Sequence, residues 1–246
     1  MLDAKFFNRD TCLVARELLG KIICRKYQGT WLRARIIETE AYYTEEKGSH
    51  ASLGYTEKRK ALFMPPGTIY MYYARGKDSL NVSCKGAGNA VLIKSAFPVF
   101  QPSSDEQPSG GQLPESITMM QRLNPTIQGE VRPPEKLCRG QTLLCQSLAI
   151  KVSEWDQKQF DKSQFYFEDV GARPEKIIKT TRLGIPEGRD HELHYRFIDY
   201  EYASYCTSNP LSKRNWSEGT HYTILNRIIL VIHVNSHHAR CKILQP

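Results

Sequence analysis

The strongest constraint on the fold is a pair of β-prone runs separated by only two residues. Lys21–Tyr27 and Thr30–Tyr43 are rich in Ile, Thr and Tyr, and Gln28-Gly29 lies between them. Runs this closely spaced fold back as an antiparallel hairpin, because a parallel pair needs a crossover of about a dozen residues. The pattern recurs downstream. Pro65-Pro66-Gly67 is a breaker, Thr68–Tyr73 an aromatic strand, Ala74–Asp78 a short basic turn and Ser79–Cys84 the returning strand. Ala90–Ala96 is a further strand, and others are expected around Phe165–Val170 and His194–Ile198.

Helical patterns are scattered among these strands. Asp10 is a natural N-cap for a helix ending at Gly20, with Leu13, Val14, Leu18 and Leu19 on its apolar face. Glu115–Leu123 and Gly140–Ile150 read as two more helices. Thr44–Lys60 is polar and reads as a loop, and Pro102–Pro114, rich in Pro, Ser, Gly and Gln, as an exposed insertion. There is no strict βαβ alternation. The expected class is therefore α+β, one domain over residues 1–200 with a mostly antiparallel sheet core and surrounding helices. Residues 201–246 read as a C-terminal extension.

Composition narrows the partners. The chain of 246 residues carries a formal net charge of +8, which favours a polyanionic partner. Its 7 cysteines are scattered without a CxxC pair, which argues against a zinc finger. The start shows no apolar signal region, and the longest apolar run, Ile228–Ile232, is too short to span a bilayer. These features read as an intracellular protein with reduced thiols and no membrane association. His233, His237, His238 and Cys241 cluster near the end, but their spacing fits no zinc motif, so no metal site is expected. The plainer reading is a short strand, Ile228–Val234, followed by a frayed basic end.

Three clusters hold chemistry. In the run Ile36-Ile37-Glu38-Thr39-Glu40-Ala41-Tyr42, strand alternation puts Glu38, Glu40 and Tyr42 on one face and Ile37, Thr39 and Ala41 on the other. The plain reading is a solvated face. The functional one is a carboxylate beside an aromatic wall, able to act as a general base toward water. Tyr70 and Tyr72 share a face of the next aromatic strand, either as core or as a stacking surface for a planar ring. His50 stands in the loop between these clusters, where a lone histidine is usually a surface residue, and Asn81 is an unusual residue for a strand.

The order of these elements is more specific than any one of them. Glu38-Thr39-Glu40-Ala41-Tyr42, then His50, then Pro66-Gly67-Thr68-x-Tyr70-x-Tyr72, then Asn81 and the apolar strand Val91-Leu92-Ile93 resembles the alkyladenine (3-methyladenine) DNA glycosylase family. Phe7 and the segment after it, Leu137-Cys138-Arg139-Gly140, Thr181-Arg182-Leu183-Gly184-Ile185 and Tyr195-Arg196-Phe197 extend the resemblance over roughly Phe7–Phe197. The resemblance implies a monofunctional enzyme of base excision repair. It would flip alkylated or deaminated purines from double-stranded DNA and hydrolyse the N-glycosidic bond as a monomer, without cofactor. Glu40 matches the catalytic carboxylate. Tyr42, Tyr72 and His50 would sandwich the base, with Leu92 also lining the pocket and Asn81 crowding the amino group of normal guanine. A protruding hairpin would enter the minor groove.

Three features depart from the family pattern. The wedge tyrosine of the hairpin tip is matched by Arg75, with Tyr73 as the alternative if the register shifts. A family arginine near the catalytic water is matched by Lys94, which keeps the charge but not the fork, and whose amine could in principle form an imine. The 102–114 insertion and the tail have little counterpart. Two other classes fit the same residues: a lesion-binding protein without turnover, and a carboxylate-dependent nucleoside hydrolase.

Overall fold

The computed structural model describes residues 1–100 and 113–227. The insertion, the strand expected at Ile228–Val234 and the histidine cluster after it lie wholly or mainly outside these residues. The described chain is α+β, built on a nine-stranded sheet in which every named pairing is antiparallel. The strands are β1 (Ile22–Tyr27), β2 (Thr30–Tyr42), β3 (Ile69–Ala74), β4 (Lys77–Ser83), β5 (Ala90–Pro98), β6 (Phe165–Glu168), β7 (Lys176–Thr180), β8 (Arg196–Asp199) and β9 (Tyr222–Asn226). Their order is β3-β4-β5-β2-β8-β7-β9, with β1 on the first half of β2 and β6 beyond β1.

The thirteen residues of β2 make it the spine. Its first half pairs with β1, while Glu38–Glu40 pair with β8 and Ala34–Tyr42 with β5. One face of the sheet carries the main apolar core. Helix α1 (Ala4–Phe7) and helix α2 (Thr11–Leu18) supply Phe7, Val14, Ala15 and Leu18 to it. Helices α3 (Glu115–Leu123), α4 (Gln141–Ser147) and α5 (Val152–Trp155) add Ile117, Met120, Leu144 and Trp155. Asp10 caps α2 by accepting from the Leu13 N–H at 2.9 Å, as its type and place suggest.

Gly20 ends this helical segment with φ +84°, and a Cβ there would stand 2.8 Å from the Ala172 carbonyl oxygen. Both the backbone conformation and the close approach require glycine. Gly20→Ala is expected to cost about 2 kcal/mol in a chemical-denaturation midpoint, with the slope unchanged.

Two irregularities decide what faces the cleft. Between the pairs Ile36–Ala96 and Glu38–Ser95, β2 carries one extra residue, Ile37; between Glu38–Ser95 and Thr39–Ile93, β5 carries one extra residue, Lys94. Bulges of this kind re-aim side chains. Ile37 therefore leaves the face of Thr39 and Ala41 that simple alternation gives it. It packs with Ile178, Ile198 and Cys206 in a second cluster, while Ala41 belongs to the main core.

Other expectations also change. Thr44–Lys60 contains a short 3-10 helix, His50–Leu53, and the start of another, Glu57–Phe63. The Gly140–Ile150 helix is shorter, because Gly140 at φ +95° is its cap rather than its first residue. β7 and β9 were not foreseen. Lys176–Thr180 is too short to show alternation clearly, and Tyr222–Asn226 completes the sheet from inside the extension.

Candidate active site

An open cleft of about 1040 Å³ lies over the β3–β4–β5–β2 part of the sheet. Tyr42, His50, Tyr72, Tyr73, Arg75, Asn81, Leu92 and Lys94 all line it. The sheet register explains why residues so far apart converge. Tyr70 pairs with Asn81, Asn81 with Leu92, Leu92 with Glu40, and Glu40 with Arg196, forming one row across five strands.

Glu40 sits beneath the cleft, completely buried. Its Oε1 is 3.4 Å from Lys94 Nζ and accepts from the Leu183 N–H at 3.3 Å, while Oε2 accepts from the Tyr42 hydroxyl at 2.7 Å. Burial alone would push this carboxyl up. The charges of Lys94 and Arg196, with the two hydrogen bonds, outweigh it and hold Glu40 below the ordinary carboxylate range. Glu38 is equally buried and faces Arg196. The solvated-face reading of this strand is overturned: both acids are inside, each against a cation.

The walls are aromatic. Tyr70 and Tyr72 stack with centroids 5.6 Å apart, and the His50 ring meets Tyr72 at 4.2 Å. His50 Nδ1 lies 3.0 Å from the Tyr70 hydroxyl, so this histidine is fixed to the wall rather than free at the surface. Burial, together with Arg59 and Arg189, lowers its pKa and favours the neutral ring. Asn81 donates to the Tyr70 carbonyl at 3.2 Å, which locks its amide against the cleft. Tyr42 is backed by the Arg182 guanidinium, 4.5 Å from the ring centroid. Arg182 is itself held by an ion pair with Glu46 and a bond to the Ala41 carbonyl at 2.9 Å.

The β3–β4 hairpin borders the cleft. Arg75 (φ +51°) and Gly76 (φ +75°) are its central turn residues, the two positive values of a type I′ turn. Tyr73 is 59% exposed on the strand beside the turn, whereas Arg75 is the turn residue itself. Arg182, the Leu183 N–H, Arg196 and Thr207 had no roles assigned from sequence. Only the row opposite Glu40 and the folding of the 181–207 segment bring them to the site.

Among the described residues no group of three or more metal-capable side chains is gathered, and no helix is long and apolar enough to cross a membrane.

The methylpurine-DNA glycosylase (MPG) family matches residues 5–203. A Pseudomonas savastanoi pv. phaseolicola protein named "Putative 3-methyladenine DNA glycosylase" is 59% identical over 92% of this chain and 97% of its own. A Pseudomonas aeruginosa protein of the same name is 56% identical over 91% of this chain and 90% of its own. The Mus musculus DNA-3-methyladenine glycosylase is 32% identical over 75% of this chain and 54% of its own. With its matched segment spanning eight of the nine strands, the aromatic walls and the buried acid beneath them, this chain belongs to the methylpurine-DNA glycosylase family.

Proposed function

We propose that this chain is a monofunctional glycosylase of base excision repair that flips a damaged purine out of duplex DNA and cleaves it with a Glu40-activated water. Family membership makes it an enzyme of the DNA-3-methyladenine glycosylase type. The observation that carries the finer reading is Glu40, a buried carboxylate kept ionised beneath a cleft walled by Tyr42, Tyr72 and His50. The water oxygen bonds to the anomeric carbon, the glycosidic pair leaves with the purine, and the water proton passes to Glu40. A cationic alkylated purine takes that pair readily and gains from the tyrosine faces. Asn81 excludes normal guanine by crowding its amino group, and a damaged base costs less to unstack. Lys94 serves Glu40 as counter-ion rather than the sugar as nucleophile, since its ammonium is held in the ion pair.

The partner is double-stranded DNA, bound by a monomer whose net charge of +8 meets the phosphates. The hairpin enters the minor groove with Arg75 at its turn and Tyr73 beside it. Base release from duplexes carrying hypoxanthine or alkylated purines tests the reading, with borohydride present in a parallel reaction. Free base with no trapped covalent complex is expected. Tight lesion binding without release would instead favour a non-catalytic lesion-binding protein.

The turn offers a separate prediction. Arg75 holds a left-handed conformation that asparagine adopts more easily. Arg75→Asn is expected to raise stability by about 0.5 kcal/mol while weakening lesion-duplex binding about tenfold. Equal affinity in a fluorescence titration would remove Arg75 from the DNA contact.

A further inference from the structure

Glu38 is buried two residues from Glu40, and the reaction described above does not use it. Its two oxygens are fully engaged. Oε1 accepts from Arg196 Nε at 2.8 Å, lies 2.6 Å from Arg196 Nη2, and accepts from the Thr207 hydroxyl at 2.6 Å. Oε2 accepts from the Ser95 hydroxyl at 2.5 Å and the Thr207 N–H at 3.1 Å. The Thr207 hydroxyl also accepts from Arg196 Nη2 at 3.1 Å, and Ser95 Oγ accepts from the Gly140 N–H at 3.0 Å. Arg196 donates further to the Ser208 carbonyl at 2.8 Å. Two residues are central to this closed unit: Arg196, the register partner of Glu40, and Thr207, which lies past the matched segment ending at 203 and lines the cleft.

We propose that Thr207 is a positioning residue of the glycosylase site, supplied by the C-terminal extension, which locks Glu38 and Arg196 into one unit and so fixes the guanidinium opposite Glu40. The inference rests on the proposed role of Glu40. Thr207 touches neither reacting atom; it acts through Arg196. Glu38 competes with Glu40 for that guanidinium. The Thr207 hydroxyl donates to Glu38 Oε1 and at the same time accepts from Nη2, so it fixes where the paired guanidinium sits on Glu38. Without the hydroxyl, Nη2 loses one of its three acceptors and Oε1 one of its donors, so the guanidinium is free to shift along Glu38 and away from Glu40. The groups facing Glu40 are then Lys94 from β5, the Tyr42 hydroxyl and Glu38 from β2, Tyr72 from β3, and the Leu183 N–H. Burial gains weight against Lys94, and the Glu40 carboxyl titrates higher.

The test compares wild type, Thr207→Val and Thr207→Ser by two independent readouts. The first is the titration midpoint of Glu40 in carboxyl-13C NMR, assigned with Glu40→Gln. The second is single-turnover base release alongside the affinity for a duplex bearing an abasic-site analogue. Thr207→Val is expected to raise the Glu40 midpoint by at least about half a pH unit. At pH below both midpoints it should slow release by up to about threefold, with affinity unchanged, while Thr207→Ser matches wild type in both. If Thr207→Val does not fold, Thr207→Ala removes the same hydroxyl with less demand on space. An unchanged or lowered midpoint, or a serine variant that fails to restore it, overturns the proposal whatever the activity. Absence of base release from wild type overturns the glycosylase mechanism instead, and the NMR midpoints still decide the role of Thr207.

Discussion

Glu40→Gln is expected to slow base release about a thousandfold while lesion-duplex affinity is retained, read by single-turnover kinetics and a binding titration. The substitution keeps the shape of the side chain and its acceptor for the Tyr42 hydroxyl or the Leu183 N–H. What it removes is the charge that takes a proton from water and opposes positive charge developing on the sugar. The aromatic walls, the Asn81 amide and the basic surface are untouched, so recognition survives. Loss of binding in parallel with loss of rate would show that Glu40 matters mainly to the fold of the pocket. Full activity would mean that another group activates the water, and the reading of the buried acid would fall.

Sequence carried the local parts of this site better than their assembly. The hairpins were legible because turn signals and β-prone runs sit next to each other, as at Gln28-Gly29 and Ala74–Asp78. Tyr42, Tyr72, Asn81 and Lys94 were assigned by resemblance, and the cleft gathers all four. The bulges were not legible, because a single extra residue leaves no mark in a hydrophobic pattern. Alternation therefore misplaced Ile37, and it gave no hint that Lys94 reaches Glu40 as the unpaired residue of β5. Arg196 and Thr207 escaped for a related reason. Their partner, Glu38, is more than 150 residues away in sequence, at separations of 158 and 169. Only the strand register sets such a contact. A buried glutamate also looks like a solvated one until its counter-cations are in place.

Lys94→Met is expected to have the second largest effect, and its signature is pH dependence. In the wild type, folding lowers the Glu40 pKa below its ordinary value of 4.5. The stability this contributes is fully present above that value and is lost as pH falls through the folded one. The acid limb of base release, if set by Glu40, should likewise lie below the ordinary carboxylate range. Removing the ammonium 3.4 Å away leaves burial opposed only by Arg196, the Tyr42 hydroxyl and the Leu183 N–H. The carboxyl is then pushed above its ordinary value, because burial is no longer matched by an adjacent cation. The acid limb should move up with it. The sign of the stability contribution reverses as well: a buried carboxylate stripped of its adjacent ammonium costs about 3 kcal/mol at neutral pH, and protonation relieves that cost. The gap in melting temperature between wild type and Lys94→Met should therefore narrow as pH falls through the raised value. Lys94→Arg, which keeps the charge, should restore most of the acid limb. A gap that stays constant with pH would mean that the loss comes from packing of the lysine stem. The ion pair would then not be what keeps Glu40 ready to accept a proton.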